Sequence, residues 1–157
     1  MIPRFLRWSL LVVGGVSGAC VAAPEATRLH AFRLLPGDDL QAGIQRFVDQ
    51  HHIEAGWIAT CVGSLTDWTL RFADRSEHAR GSGHFEIVSL CGTVSTNGSH
   101  LHLAISDGDG RTIGGHLVPG CVVYTTAEIV LGESREHVFT RAADGSTPWR
   151  ELQVGRR

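Results

Sequence analysis

The chain of 157 residues has no lysine at all; its 14 basic residues are arginines, scattered along the sequence rather than gathered into a stripe. With a formal net charge of −2, nothing in the sequence forms the basic patch by which a polyanion-binding surface is recognised. Nucleophile motifs are missing too. Gly63-Ser64-Leu65 lacks the second glycine of a nucleophile elbow, and no cysteine lies near a histidine along the chain. Gly81-Ser82-Gly83 has neither the later glycine nor the lysine of a phosphate-cradling loop. The four cysteines show no CxxC spacing. Cys61, Cys91 and Cys121 each sit among apolar neighbours and are expected to be small buried hydrophobes; an oxidising compartment permits a disulfide without choosing its pair.

The one apolar run of note is N-terminal. Arg4 and Arg7 precede Ser9 to Val16, and small residues follow through Val21-Ala22-Ala23, the pattern of a secretory signal cut after Ala23. The expectation is a signal peptide over 1–23 and one domain over 24–157, exported to the periplasm or secreted. Lipidation at Cys20 and an uncleaved membrane anchor are the alternatives, although the run is short and glycine-interrupted for a membrane span. Removing Arg4 and Arg7 leaves 12 basic against 16 acidic residues, a net charge of −4. About 134 residues suffice for one hydrophobic core and are too few for two.

Alternation over Leu29 to Leu35 predicts a first strand. Pro36-Gly37-Asp38-Asp39 supplies a turn and a helix start, with Asp38 as cap and Leu40, Ile44, Phe47 and Val48 at helical spacing up to His51. His51 and His52 read as surface residues at the helix end. After Gly56 the chain consists of β-rich runs: Trp57 to Leu65, Trp68 to Phe72, Phe85 to Val94, a histidine-bearing hairpin, Cys121 to Leu131, His137 to Ala142 and Trp149 to Val154. One early helix and six or more antiparallel strands define an α+β domain with a curved, partly closed antiparallel sheet.

The hairpin carries the chemistry. In Ser99-His100-Leu101-His102-Leu103 the period of two puts both histidines on one face. If Gly108-Asp109-Gly110 forms a three-residue loop with Gly110 left-handed, Ile105 falls opposite Ile113 and His102 opposite His116; a loop one residue longer or shorter turns His116 away. Three imidazoles with a fourth position open form the ligand pattern of an exchangeable or reactive zinc site, completed by water or a small ligand. The competing reading is polar-facing histidines of a half-exposed sheet paired with carboxylates, water or backbone.

These segments, taken in order, resemble a known family. Leu35-Pro36-Gly37-Asp38-Asp39-Leu40, Val62-Gly63-Ser64-Leu65, Gly83-His84-Phe85-Glu86-Ile87-Val88-Ser89-Leu90, His100-Leu101-His102, Gly114-Gly115-His116-Leu117 and Thr126-Ala127-Glu128-Ile129 look like the PPC domain, the plants and prokaryotes conserved domain, over about Leu29 to Val154. The resemblance implies a compact α+β fold, a homotrimer, and zinc on His100, His102 and His116. In plants the domain accompanies AT-hook motifs, which makes DNA binding the alternative function. This chain departs from that pattern: Arg80-Gly81 lacks the second arginine and the proline of an AT-hook, and Gly83-His84 stands where the plant family has Gly-Arg.

Glu86 and Glu128 lie in strands opposite in facing to their apolar neighbours, and the resemblance makes them candidates for metal second-sphere partners or acid-base groups; otherwise they are exposed or interface-paired charges. A metal-dependent enzyme of unknown substrate, with one of them as base, is the third functional reading. Gly114-Gly115 permits close backbone approach. His84 is a further possible ligand, His30 and His78 are expected at the surface, His137 in an ordinary strand position, and Trp57, Trp68 and Trp149 in core or trimer contacts.

Overall fold

The computed structural model describes residues 26–157. The expected signal segment over 1–23, with Cys20, lies outside the described residues. The elements run β1 (Thr27–Leu34), α1 (Leu40–Gln50), β2 (Gly56–Arg71), β3 (Ala79–Ser95), β4 (Gly98–Ser106), β5 (Thr112–Leu117), β6 (Val122–Ser134), β7 (His137–Ala142) and β8 (Glu151–Arg156). β1 to β6 form one antiparallel sheet in the order β1-β6-β2-β3-β4-β5, and β7 pairs with β8. The sheet closes on itself where β5 returns to β2, with Leu70 opposite Leu117 and Arg71 opposite His116. Gly115 makes that closure feasible: a Cβ there would stand 2.8 Å from the Arg71 carbonyl oxygen, so its role is packing.

The 16-residue β2 occupies a region where two shorter strands were expected. Thr66 and Asp67 do not turn the chain; irregularities between Ile58 and Thr60, Gly63 and Leu65, and Leu65 and Asp67 bend one continuous strand so that it pairs in turn with β6, β3 and β5. The helix starts one residue later than expected. Asp39, not Asp38, is its N-cap, accepting the Ala42 N–H at 2.8 Å, while Asp38 accepts from Leu35 N–H in the preceding turn. Two adjacent aspartates offer the same cap chemistry, and the turn uses the first.

Leu40, Gly43, Ile44 and Val48 form the buried stripe of α1. It faces a core built from alternate strand positions, among them Leu65, Leu70, Leu103, Ile105, Val123, Ile129 and Leu131. Phe32 stacks on Phe47 with ring centroids 3.8 Å apart, fastening β1 to the helix. His51 and His52 are exposed beyond the helix end as expected. His30 is not at the surface: it is buried and its Nε2 meets Glu133 Oε2 at 2.8 Å across the β1–β6 pair. A buried imidazole needs a polar partner, and here it comes from 103 residues away in sequence.

Cys61, Cys91 and Cys121 are all free. Burial pushes the Cys61 thiol up to about 12 and that of Cys121 to about 11, as expected of inert core thiols. Cys91 departs from the expectation. It is exposed, because position 91 faces outward opposite His102.

Candidate metal centre

Strand alternation does what the sequence implies. Leu101, Leu103 and Ile105 point into the core, and His100 and His102 into the outer surface. Gly110 takes the left-handed conformation (φ 78°), and Asp107 closes the loop by accepting the Gly110 N–H on its carbonyl and the Asp109 and Arg111 N–H groups on its carboxylate. The resulting register sets Ile105 opposite Ile113 and His102 opposite His116.

All three histidines therefore converge. Nε2 of His100 lies 3.0 Å from Nδ1 of His116 and 3.1 Å from Nε2 of His102, and the three donor atoms fall within 4.8 Å of one another. Two nitrogens bound at zinc distances of roughly 2.0–2.1 Å in a tetrahedral shell stand about 3.3 Å apart. The two spacings that share His100 Nε2 are thus within a few tenths of an ångström of a shared-ion geometry, and the third donor pair lies within 4.8 Å. Burial first, then the Arg71 guanidinium and the neighbouring imidazoles, hold the His116 pKa down to about 4; burial and then Arg141 lower that of His100. Both effects favour the neutral imidazole, the form that ligates.

The other candidates stand elsewhere. Glu86 is exposed opposite Ser106, four residues along β4 from His102 and so about 13 Å away. Glu128 is exposed on β6 between Arg33 of β1 and Val62 of β2, and Val62 lies nine residues along β2 from Arg71, the cross-strand partner of His116. Neither touches the triad. Glu86 instead borders a cavity of about 480 Å³ with His84, whose ring stacks on Tyr124 at 4.2 Å rather than joining the cluster. His78 is exposed, and His137 bonds Ser134 within its own turn.

Three neighbours of the triad escaped the sequence reading. Arg71 is the cross-strand partner of His116, Arg141 reaches Thr93 beside His100, and Trp149, expected in a core or interface, is 60% exposed with Arg71 5.3 Å from its ring centre. Only the β2–β5 closure and the docking of the β7–β8 hairpin bring them there. Their one sequence signal was a tryptophan flanked by arginine in a polar segment.

A partly closed antiparallel sheet with one helix is the architecture of a known domain. The chain belongs to the Plants and Prokaryotes Conserved (PCC, or PPC) domain family, whose model matches residues 21–135, ending just after β6. Its curved, partly closed antiparallel fold is that of the family. A hypothetical protein from Salmonella enterica superimposes with a TM-score of 0.82 at 44% identity, over 83% of this chain and 95% of that one. A metal-containing protein from Archaeoglobus fulgidus does so with a TM-score of 0.70 at 26% identity, over 82% and 95%. Part of the bifunctional protein GlmU of Synechococcus sp. (strain JA-3-3Ab) is 48% identical over 127 residues, which is 81% of this chain. The chain spans only about a fifth of the length of that relative, at 20%.

Proposed function

We propose that this protein is an exported PPC-domain protein that binds one divalent metal, zinc, through His100, His102 and His116, and that it assembles as a homotrimer. The observation that carries the metal reading is the 3.0 and 3.1 Å spacing of the imidazole nitrogens. Three similar lone pairs facing one point repel one another unless a cation or a shared proton lies between them. The description of the Archaeoglobus relative as metal-containing points the same way. When bound, such an ion supplies a Lewis-acidic position open to water or a small ligand.

The trimer reading is supported by the outer surface of β2, β3 and β6, where Val62, Val88 and Tyr124 are 55%, 57% and 41% exposed. Apolar side chains grouped on neighbouring strands fit cover by other copies of the chain, with Glu86 and Glu128 beside them as pairing charges. Export rests on the residues 1–23 pattern. DNA binding is the less favoured reading, because the described arginines nearest the site line a concavity rather than a ridge that follows a duplex backbone. Elemental analysis of purified protein tests the metal reading: about one zinc per chain is expected, and the double variant His102→Ala/His116→Ala should carry none. Equal zinc in both proteins overturns it. Native mass measured on the same samples tests the trimer, and N-terminal sequencing of the exported form tests cleavage.

A further inference from the structure

The β7–β8 hairpin lies beyond the family match and pairs with no strand of the main sheet. It is nonetheless docked. Phe139 N–H donates to the Glu54 carbonyl at 2.8 Å, Arg141 N–H to Asn97 Oδ1 at 2.7 Å, and Arg157 pairs with Glu54 at 2.7 Å. This places Arg141, Trp149 and Arg150 against the face that carries the histidines, where they enclose with Arg71, His100 and His116 a cavity of about 230 Å³.

The charges in this cavity are unbalanced. Three arginines line it against a single carboxylate, Glu151, which accepts from Thr147 Oγ1 at 2.5 Å. Arg150 serves as a strut, donating from Nε and Nη2 to the Arg141 carbonyl at 3.0 and 2.5 Å. Arg141 donates Nη2 to Thr93 Oγ1 at 2.8 Å, and Arg71 lies against the Trp149 ring. Among the described residues none of these three arginines has a carboxylate within 4.0 Å; the ion pairs present engage Asp38, Glu54, Asp109 and Glu133. A half-buried guanidinium without an anionic partner is costly, and its planar fork matches a carboxylate or phosphate oxygen pair.

We propose that Arg71 and Arg141 clamp the carboxylate or phosphate group of a small organic anion whose second oxygen donor takes the open position of the trihistidine metal. The second contact rests on the metal reading above; the first rests on the arginines alone. Size selects a metabolite-scale ligand: the cavity lies below the roughly 300–1,000 Å³ of drug-sized pockets. It abuts a second cavity of about 340 Å³ across Arg71 and His116, lined in part by Ala73, Ala104 and Gly114, which gives a short apolar tail room. The Trp149 indole forms a flat wall. The hairpin thereby makes the site a pocket instead of an exposed metal patch.

Titration calorimetry of the zinc-loaded full chain with malonate and with inorganic phosphate tests this. At least one probe should bind, more weakly at high salt, and Arg71→Gln and Arg141→Gln should each weaken it roughly 10- to 100-fold, the worth of a charged hydrogen bond, with zinc content unchanged. Arg141→Lys, which keeps the charge and loses the fork, should fall between. Arg111→Gln, at the exposed loop pair with Asp109, is the control and should bind as the parent does. The stronger probe identifies the oxyanion. Binding of neither probe to zinc-loaded protein, or the parent's affinity retained in both glutamine variants, overturns the proposal. Zinc measured on the same samples separates the two readings: a parent protein without zinc refutes the metal alone, and arginine-dependent phosphate binding to that zinc-free chain still decides the clamp.

Discussion

Replacing His102 by alanine isolates the metal from the fold. His102 is exposed on the outer surface while its neighbours Leu101 and Leu103 fill the core, so the zinc-free variant should match the zinc-free parent within about 0.5 kcal/mol. Zinc affinity should respond very differently. Structural zinc sites are worth ~10–16 kcal/mol over four ligands, about 3–4 kcal/mol for each, so losing one ligand raises Kd roughly a hundred- to a thousand-fold. At free zinc a hundred times the parent Kd, binding stabilises the parent by ~2.7 kcal/mol. For a domain of this size that is a rise in Tm of about 8–13 °C. At the same zinc concentration the variant gains at most ~0.4 kcal/mol, a shift under about 2 °C. Scanning calorimetry with and without zinc reads both quantities. An equal zinc-induced shift in parent and variant refutes the site; a variant that melts far lower than the parent without zinc refutes the claim that His102 stands outside the core.

Acid should erode the zinc-free fold while sparing the metal. His116 titrates at about 4 in the folded chain against about 6.5 when unfolded, so between these values the unfolded state takes up the proton first and stability falls as pH drops through the window. The imidazole nevertheless stays neutral in the native state, and equilibrium dialysis near pH 5.5 should still find zinc bound; release complete by pH 6 would contradict the shift. Gly115→Ala should cost about 1–3 kcal/mol in urea denaturation and weaken zinc, because the new methyl forces β5 away from the Arg71 carbonyl and carries His116 with it; unchanged zinc affinity would show the closure is not needed. Leu103→Ala, at 1% exposure, should lower stability by about 2–5 kcal/mol with the urea m value intact. Removing the buried carboxylate in Glu133→Ala should cost about 1–3 kcal/mol by stranding His30, and a neutral result would mean water takes its place.

The hairpin was readable because everything it needs is local. Alternation fixed the facing of His100 and His102, and the Asp107 to Gly110 loop chemistry set the register that delivers His116. Strand β2 was less readable, since bulges shift the alternation in mid-strand and make one 16-residue strand look like two. His30 and Cys91 were misplaced for a related reason. Each looks ordinary among its neighbours in sequence, and its surroundings come from another strand: Glu133 across β1–β6 in one case, His102 across β3–β4 in the other. Glu86 and Glu128 share the strand pattern of a second-sphere partner, yet pairing places Glu86 opposite Ser106, four residues along β4 from His102, and Glu128 opposite Val62, nine residues along β2 from the partner of His116.

The order of elements, the helix stripe and the three imidazoles on one face were determined by the sequence alone, because each depends on a period of two or 3.6 residues and on the turn between neighbours. The pocket around those imidazoles was decided by the tertiary structure. Arg71 reaches His116 only when β5 closes onto β2, and Arg141 and Trp149 only when the C-terminal hairpin docks. Such contacts join residues 44 or more apart along the chain through long-range registers and side-chain packing, which no local periodicity encodes.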